Sequence, residues 1–227
     1  MTCIDIAACT VHPGREGVEA PVIYVIDSPE HPFDMTSFAQ ERVSTIVTVP
    51  VRQWNDALTP WPAAGLYRGE PDFGGHADVT LAKLTSDVLP AIEREARLSP
   101  THRAICGYSL GGLFSLYALT HTDVFVACGC LSGSVWYEGW VEHLRALDID
   151  LAGRYAFLSL GTKERRAARP LLKTVQDCME ACSGILREHG AEVEFCLGPG
   201  NHLQHIPERL GAGFDALDVF LSALPRR

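Results

Sequence analysis

The sequence contains no long apolar run and no excess of basic residues. Both absences limit the classes of partner that the protein could bind. A membrane-spanning helix needs about 18 consecutive apolar residues, and no run among these 227 residues reaches that length. Lysine and arginine number 19 against 28 acidic residues, which gives a formal net charge of −9. Such a charge disfavours binding to nucleic acid phosphates. We therefore expect neither a membrane partner nor a nucleic acid partner.

The N-terminus lacks the basic segment of a secretory signal, and the eight cysteines do not resemble a disulfide framework. Asp5 places an acid where a signal peptide carries basic residues. Cys106, Cys128 and Cys130 lie in apolar runs, where cysteine acts as a small hydrophobic residue. We therefore expect a protein of a reducing cytoplasm.

Short apolar runs alternate with helical periods along the chain. The runs that predict strands are residues 22–26, 45–49, 103–106, 124–131, 155–160 and 193–197, and the main helical periods are residues 79–98, 171–186 and 214–224. Runs that are apolar on both faces are typical of a parallel sheet covered by helices. We expect Pro90 to kink or split the helical period at residues 79–98. The alternation predicts an α/β fold with a mostly parallel central sheet and helices on both faces.

No linker or internal repeat interrupts this alternation. Hydrophobic residues make up 47% and charged residues 21% of the chain, which is typical of a soluble globular domain. The length suits one large domain, so we expect a single domain over residues 1–227.

The strongest chemical signal is the sequence Gly-Tyr-Ser-Leu-Gly at residues 107–111, which is followed by a further glycine. It lies between a predicted strand and a helical run, the setting that a G-x-S-x-G nucleophile elbow requires. The flanking glycines permit a tight turn that exposes the hydroxyl group of Ser109. Ser109 is the candidate nucleophile, and the alternative is a structural glycine-rich turn.

A nucleophilic serine needs a base, and the base needs an orienting acid. In this type of fold the acid and then the histidine follow the serine along the chain. Glu164 and His202 each come just after a predicted strand, at the sheet edge where α/β proteins bind ligands. Their rivals are a solvated role for Glu164 and His205 as the base. Asp148 and Asp150 precede their strand and therefore lie at the wrong end.

The remaining candidates concern binding. An oxyanion hole needs two N–H donors, for which we predict the backbone groups of Leu110 and Ser28. Residues 50–76 form a long aperiodic segment, and such segments are usually functional when ordered. The candidate substrate-binding residues are Trp54, Trp61, Arg68, Trp136 and His205. For the tryptophans the alternative is that their rings only anchor loops.

Together these segments resemble the esterase family of α/β-hydrolases that includes enterochelin and other siderophore esterases and feruloyl esterases. The resemblance runs from Pro21 to about Leu224 and rests on residues 21–27, 54–62, 73–75, 107–112 and 161–164. It implies an α/β-hydrolase fold in which residues 21–27 form the first core strand and the oxyanion loop. His202 follows Asn201 where the family usually has a Gly-His pair. Only Arg52 and Arg68 lie in the long loop, so a ferric siderophore is not favoured.

The leading hypothesis is a serine hydrolase that cleaves small carboxylic esters through a Ser-Glu-His triad without a cofactor. The same triad could deliver the acyl group to an alcohol or a thiol, and the scaffold could also serve only as a binding protein. A metal centre on His202 and His205, or on Cys128 and Cys130, is disfavoured. The two cysteines would share one face of a buried strand, where apolar packing is the usual explanation, and the sequence has no Cys-x-x-Cys pair. The natural ester and the oligomeric state stay open.

Overall fold

One seven-stranded sheet forms the centre of the protein. The computed structural model describes residues 3–225, so the predicted domain of residues 1–227 extends beyond them at both ends. The strands are β1 (Thr10–His12), β2 (Val22–Asp27), β3 (Thr45–Pro50), β4 (Arg103–Tyr108), β5 (Ala127–Leu131), β6 (Tyr155–Gly161) and β7 (Glu192–Gly198). Their order across the sheet is β1-β3-β2-β4-β5-β6-β7. Among the seven strands within residues 3–225, only β1 pairs antiparallel, which confirms the mostly parallel α/β fold.

Nine α-helices lie among residues 3–225. They are α1 (Thr36–Gln40), α2 (Trp54–Ala57), α3 (Ala77–Lys83), α4 (Leu89–Glu95), α5 (Leu110–His121), α6 (Trp140–Ala146), α7 (Pro170–Lys173), α8 (Val175–Glu188) and α9 (Ile206–Ala223). Short 3₁₀ turns cover Ile6–Ala8, Gly17–Glu19 and Glu164–Arg166. A π-helical segment, Leu84–Val88, joins α3 to α4.

The helices differ from the predicted periods mainly at their ends. The helical period around Pro90 is split as expected, because the π-helical segment Leu84–Val88 separates α3 from α4 and Pro90 lies in the first turn of α4. The period at residues 171–186 is divided at Thr174 into α7 and α8. Helix α9 begins at Ile206 instead of residue 214.

The sheet separates two apolar cores. On β2, Val22, Tyr24 and Ile26 point into one core, and Ile23 and Val25 point into the other. The first core contains side chains of α2 to α6 and α8, and the second contains side chains of α1 and α9. Helices therefore cover both faces, as the apolar runs predicted.

The parallel strands bring their carboxyl ends to one edge of the sheet. There β4 ends at Tyr108, β5 at Leu131, β6 at Gly161 and β7 at Gly198. The turn from β4 into α5 is tight, because a Cβ atom on Gly107 would lie 2.4 Å from the backbone of Gly111. Glycine at position 107 allows α5 to start directly behind β4.

Two glycine-to-alanine exchanges should act in opposite directions. Gly107→Ala should destabilise the protein by about 1–3 kcal/mol, because the added methyl group overpacks the turn. Gly184→Ala should stabilise it by about 0.5–1 kcal/mol, since Gly184 lies inside α8 and no atom lies within 4 Å of the place that the new methyl group would take. Urea unfolding of both variants measures the two changes. Equal stability of Gly107→Ala and wild type would contradict this account of the turn.

Candidate active site

Ser109 occupies a strained position between β4 and α5. Its backbone has φ 59° and ψ −122°, which is costly for a residue with a side chain. The Ser109 N–H donates to the carbonyl of Leu131 at 3.0 Å, and the Ser109 carbonyl accepts from the N–H of Ser134 at 3.0 Å. These bonds hold the turn against β5 and the segment that follows it. The hydroxyl group is left facing a cavity.

The structure brings Ser109, His202 and Glu164 together in one line of contacts. Nε2 of His202 lies 3.1 Å from Oγ of Ser109, and Nδ1 of His202 lies 2.9 Å from Oε2 of Glu164. A carboxylate can only accept a hydrogen bond, so Nδ1 carries the proton that it donates to Glu164. In the neutral imidazole, the lone pair of Nε2 then faces the serine hydroxyl.

Glu164 is buried, with 7% of its surface exposed, although it starts a 3₁₀ turn. Its Oε1 atom accepts from Oγ of Ser132 at 2.7 Å and from the N–H of Gly161 at 2.8 Å. Burial raises the pKa of Glu164, but the hydrogen bonds from His202, Ser132 and Gly161 outweigh that effect and leave the pKa below its ordinary value. The solvated role considered for Glu164 does not agree with this environment.

A cavity of about 570 Å³ opens above Ser109. It is lined by Leu66, Ser109, Ser134, Trp136, Lys163, Glu164, Arg166, Ala167, Leu172, Val175, Asn201, His202 and Leu203. Of the predicted substrate-binding residues, Trp136 is among them. The long loop contributes Leu66 instead of its tryptophans. The size of the cavity and its largely apolar wall are typical of a small-molecule site.

The other predicted substrate-binding residues lie outside this lining. Trp61 donates from Nε1 to the carbonyl of Glu138 at 2.9 Å and stacks on Trp140, so it anchors the long loop. Trp54 packs against Gly111 in the first turn of α5, and Arg68 is exposed. Nδ1 of His205 lies 3.2 Å from Oε1 of Glu208 at the start of α9.

The two predicted oxyanion donors have different surroundings. Leu110 is the first residue of α5, and an N–H at that position has no acceptor within its own helix. The Ser28 N–H instead donates to Oδ1 of Asp27 at 2.9 Å, and Ser28 lines a different cavity. The hydroxyl of Ser134 lies 3.4 Å from that of Ser109, a neighbour that the sequence did not predict.

Ser132, Tyr108 and Arg209 also belong to this site and were not predicted. The Tyr108 hydroxyl donates to the carbonyl of His202 at 2.6 Å. Arg209 is buried and donates to Ser132 at 2.8 Å. Arg209 lies four and eight residues before the buried Gly213 and Leu217 of α9. A cation on such a buried stripe is a signal that could have drawn attention to it.

The histidines and cysteines considered for a metal centre do not converge. His202 faces Ser109 and Glu164, whereas His205 pairs with Glu208. Cys128 and Cys130 are buried in β5, and all eight cysteines are unpaired. Within residues 3–225, no group of three or more His, Cys, Asp or Glu side chains could hold a metal ion. Across the same residues, no helix has the length and apolar character to cross a membrane.

Comparison with known proteins gives one family and one fold. Residues 9–172 match a family model described as "Putative esterase". The uncharacterized protein YbbA of Bacillus subtilis (strain 168) is 30% identical over 188 residues, which cover 78% of this chain and 75% of YbbA.

Two solved structures illustrate the fold. An IroE-like serine hydrolase from Shewanella oneidensis superposes with a TM-score of 0.76 at 19% identity, over 93% of this chain and 75% of that chain. The siderophore hydrolase EstA from Aspergillus nidulans superposes with a TM-score of 0.68 at 20% identity, over 96% and 95% of the two chains. At these identities the likeness shows the fold alone.

The buried carboxyl group of Asp27, at the end of β2, should make stability depend on pH. Burial raises the pKa of Asp27 from its ordinary value of 3.8 to about 6, although N–H donors from Phe33 and Ser28 lower it in part. Because the pKa is higher in the folded state, the protonated carboxyl group of Asp27 contributes to the free energy of unfolding. This contribution is largest at low pH and is lost as the pH rises through about 6. Between pH ~4.5 and ~7.5, wild type should lose about 2 kcal/mol relative to Asp27→Asn.

Urea unfolding of wild type and Asp27→Asn at both pH values gives this difference directly. The asparagine variant is the control, because it cannot titrate at this position. A difference in unfolding free energy that is independent of pH would contradict the raised pKa.

Proposed function

The chain belongs to the esterase family and is a carboxylesterase-type hydrolase, and we propose that it cleaves esters through an acyl-enzyme on Ser109. His202 is the base in this proposal, and Glu164 is the acid that orients it. The observation that carries the proposal is the line of contacts from Ser109 through His202 to the buried Glu164. The 3.1 Å between Oγ of Ser109 and Nε2 of His202 is within the range for proton transfer from a serine to a base, and the 2.9 Å between Nδ1 of His202 and Glu164 is a hydrogen bond that orients the base.

The first half of the reaction forms the acyl-enzyme. His202 takes the proton of Ser109 at Nε2 while Oγ attacks the ester carbonyl carbon, which gives a tetrahedral intermediate. Glu164 stabilises the imidazolium that forms. His202 then gives its proton to the departing alkoxide oxygen, so the alcohol leaves neutral and the acyl group stays on Ser109. Water, activated by His202 in the same way, releases the acid and restores Ser109.

The negative charge of the intermediate needs hydrogen-bond donors. Leu110 offers its N–H at the first position of α5, where the helix dipole also favours an anion. The second donor cannot be the Ser28 N–H as long as Asp27 accepts its hydrogen bond. The polar group beside the nucleophile is the hydroxyl of Ser134, 3.4 Å from Oγ of Ser109, and we assign it this supporting role.

The substrate proposed here is a small-molecule ester with an apolar body. Leu66, Trp136, Leu172 and Val175 supply the apolar wall of the cavity, and such a wall gains free energy as it removes an apolar acyl or alcohol group from water. The eight unpaired cysteines are in keeping with a reducing cytoplasm, which we propose as the location.

Exchange of each candidate base separates their roles. His202→Asn should reduce hydrolysis of a short nitrophenyl ester, and the rate of fluorophosphonate labelling, by at least about 10³-fold, because Ser109 loses its base. His205→Asn should keep both rates within about 3-fold, since His205 contacts Glu208 instead of Ser109. Asparagine suits this control because it tolerates the left-handed backbone of His205, φ 57°.

Circular dichroism of both variants checks that they fold, and Ser109→Ala provides the background rate. Loss of labelling in His205→Asn, with labelling retained in His202→Asn, would move the base by three residues. Full activity of Ser109→Ala would refute the proposed function altogether.

A further inference from the structure

A buried arginine lies beneath the triad. Arg209, in the first turn of α9, is only 6% exposed. A guanidinium group removed from water costs free energy unless hydrogen bonds and a counter-charge replace the water. The partners of Arg209 therefore show which parts of the protein depend on it.

The hydrogen-bond partners described for the Arg209 side chain lie in segments that carry a triad residue or contact one. Nη1 donates to the hydroxyl of Tyr108, the residue before the nucleophile, and to Oγ of Ser132 at 2.8 Å. Nη2 donates to the carbonyls of Pro199 at 3.2 Å and Gln204 at 3.3 Å. Pro199 and Gln204 lie on either side of His202. One planar group thus connects the end of β4, the end of β5 and both sides of the loop that carries the base.

Two of these partners, Tyr108 and Ser132, also form hydrogen bonds to residues of the triad. The Tyr108 hydroxyl, which accepts from Arg209, donates to the carbonyl of His202 at 2.6 Å. The Ser132 hydroxyl, which also accepts from Arg209, donates to Oε1 of Glu164 at 2.7 Å. Each of these two connections between Arg209 and the triad contains one intermediate side chain. Arg209 therefore acts on the base and on the acid without touching the substrate.

We propose that Arg209 is a positioning residue of the active site, which fixes the His202 loop and the Glu164 carboxylate relative to Ser109. The inference rests on the proposed function. In this inference Arg209 maintains the distances between the triad residues. These distances matter because a displacement of about 1 Å at a reacting group can cost about 10²-fold in rate. Arginine suits this role because its rigid fork donates in several directions at once, whereas lysine presents one flexible point charge.

Arg209 also supplies charge. Its Nη1 atom lies 3.8 Å from Oε1 of Glu164. The buried carboxylate therefore has a cation near Oε1, while His202 contacts Oε2. The other titratable groups around the pair are Tyr108, which contacts the guanidinium, and Glu208 with its partner His205. Removal of the cation favours proton uptake by Glu164. The acid limb of the kcat–pH profile should then move to higher pH.

The test compares Arg209→Met and Arg209→Lys with a matched control, Arg42→Met. Arg42 is also buried, at 4% exposure, and also bonds to α9, through the carbonyl of Gly211 at 3.1 Å and Oδ1 of Asp215 at 2.6 Å. Its contacts lie away from the triad. Steady-state hydrolysis of a nitrophenyl ester across the pH range gives kcat and KM, and thermal unfolding gives stability.

Arg209→Met should lower kcat by about 10²-fold, leave KM within about 3-fold and move the acid limb to higher pH. Arg209→Lys keeps the charge and should restore the position of the limb, with kcat still about 10-fold below wild type. Arg42→Met should lose thermal stability with kcat and the pH profile unchanged. If Arg209→Met does not fold, the kcat of Arg209→Lys is compared with the kcat of wild type and of Arg42→Met.

The inference is wrong if the folded Arg209 variants differ from wild type only in stability, as the Arg42 variant should. It is also wrong if Arg209→Lys retains the full kcat of wild type. Neither result affects the proposed function, which depends on the loss of activity in Ser109→Ala.

Discussion

The ionised carboxylate of Glu164, buried at the edge of the sheet, is the constraint on which the site depends. A buried anion must find donors inside the protein, and the donors of Glu164 come from different parts of the chain. They are Gly161 at the end of β6, Ser132 after β5 and His202 after β7. To satisfy this one charge, three strand ends must meet with a definite geometry. The arrangement that lowers the pKa of Glu164 also places His202 against Ser109.

The packing of the central sheet maintains the strained backbone that exposes the hydroxyl group of Ser109. Ser109 and Ser132 both have a positive φ, at 59° and 43°, and they follow the adjacent strands β4 and β5. Buried strands on each side and the close approach of Gly107 to Gly111 hold this turn. Strained backbone persists where the surrounding packing overdetermines it. Here the well-packed centre of an α/β fold supports a site whose own conformation is unfavourable.

The sequence predicted those parts of the fold and site that local pattern determines. Central strands such as β2 are apolar on both faces and were recognisable, whereas β1 has one exposed and two half-buried residues and was missed. Ser109, Glu164 and His202 could be placed near one another because parallel strands end at one edge. The start of α9 was missed because Pro207, Gly211 and Gly213 weaken the helical pattern in its first half.

Other features depend on three-dimensional contacts that no local pattern contains. The predicted role of Ser28 required a free N–H, but the neighbouring Asp27 accepts its hydrogen bond. The role of Arg209 depends on distant segments that meet only in the folded protein, since Tyr108 and Ser132 are 101 and 77 residues away in sequence. Such long-range polar networks are specified by packing and become visible only with the structure.

The central claim is that Ser109 carries the acyl group, and a trapped acyl-enzyme tests it most directly. Wild-type protein mixed with excess nitrophenyl ester and quenched in acid within milliseconds should hold one acyl group per chain if deacylation is the slower step. Peptide mass spectrometry with fragmentation identifies the modified residue, and Ser109→Ala is the control. The account predicts the acyl group on Ser109. An acyl group on Ser134, 3.4 Å away, or turnover of the ester by Ser109→Ala at the wild-type rate would contradict it.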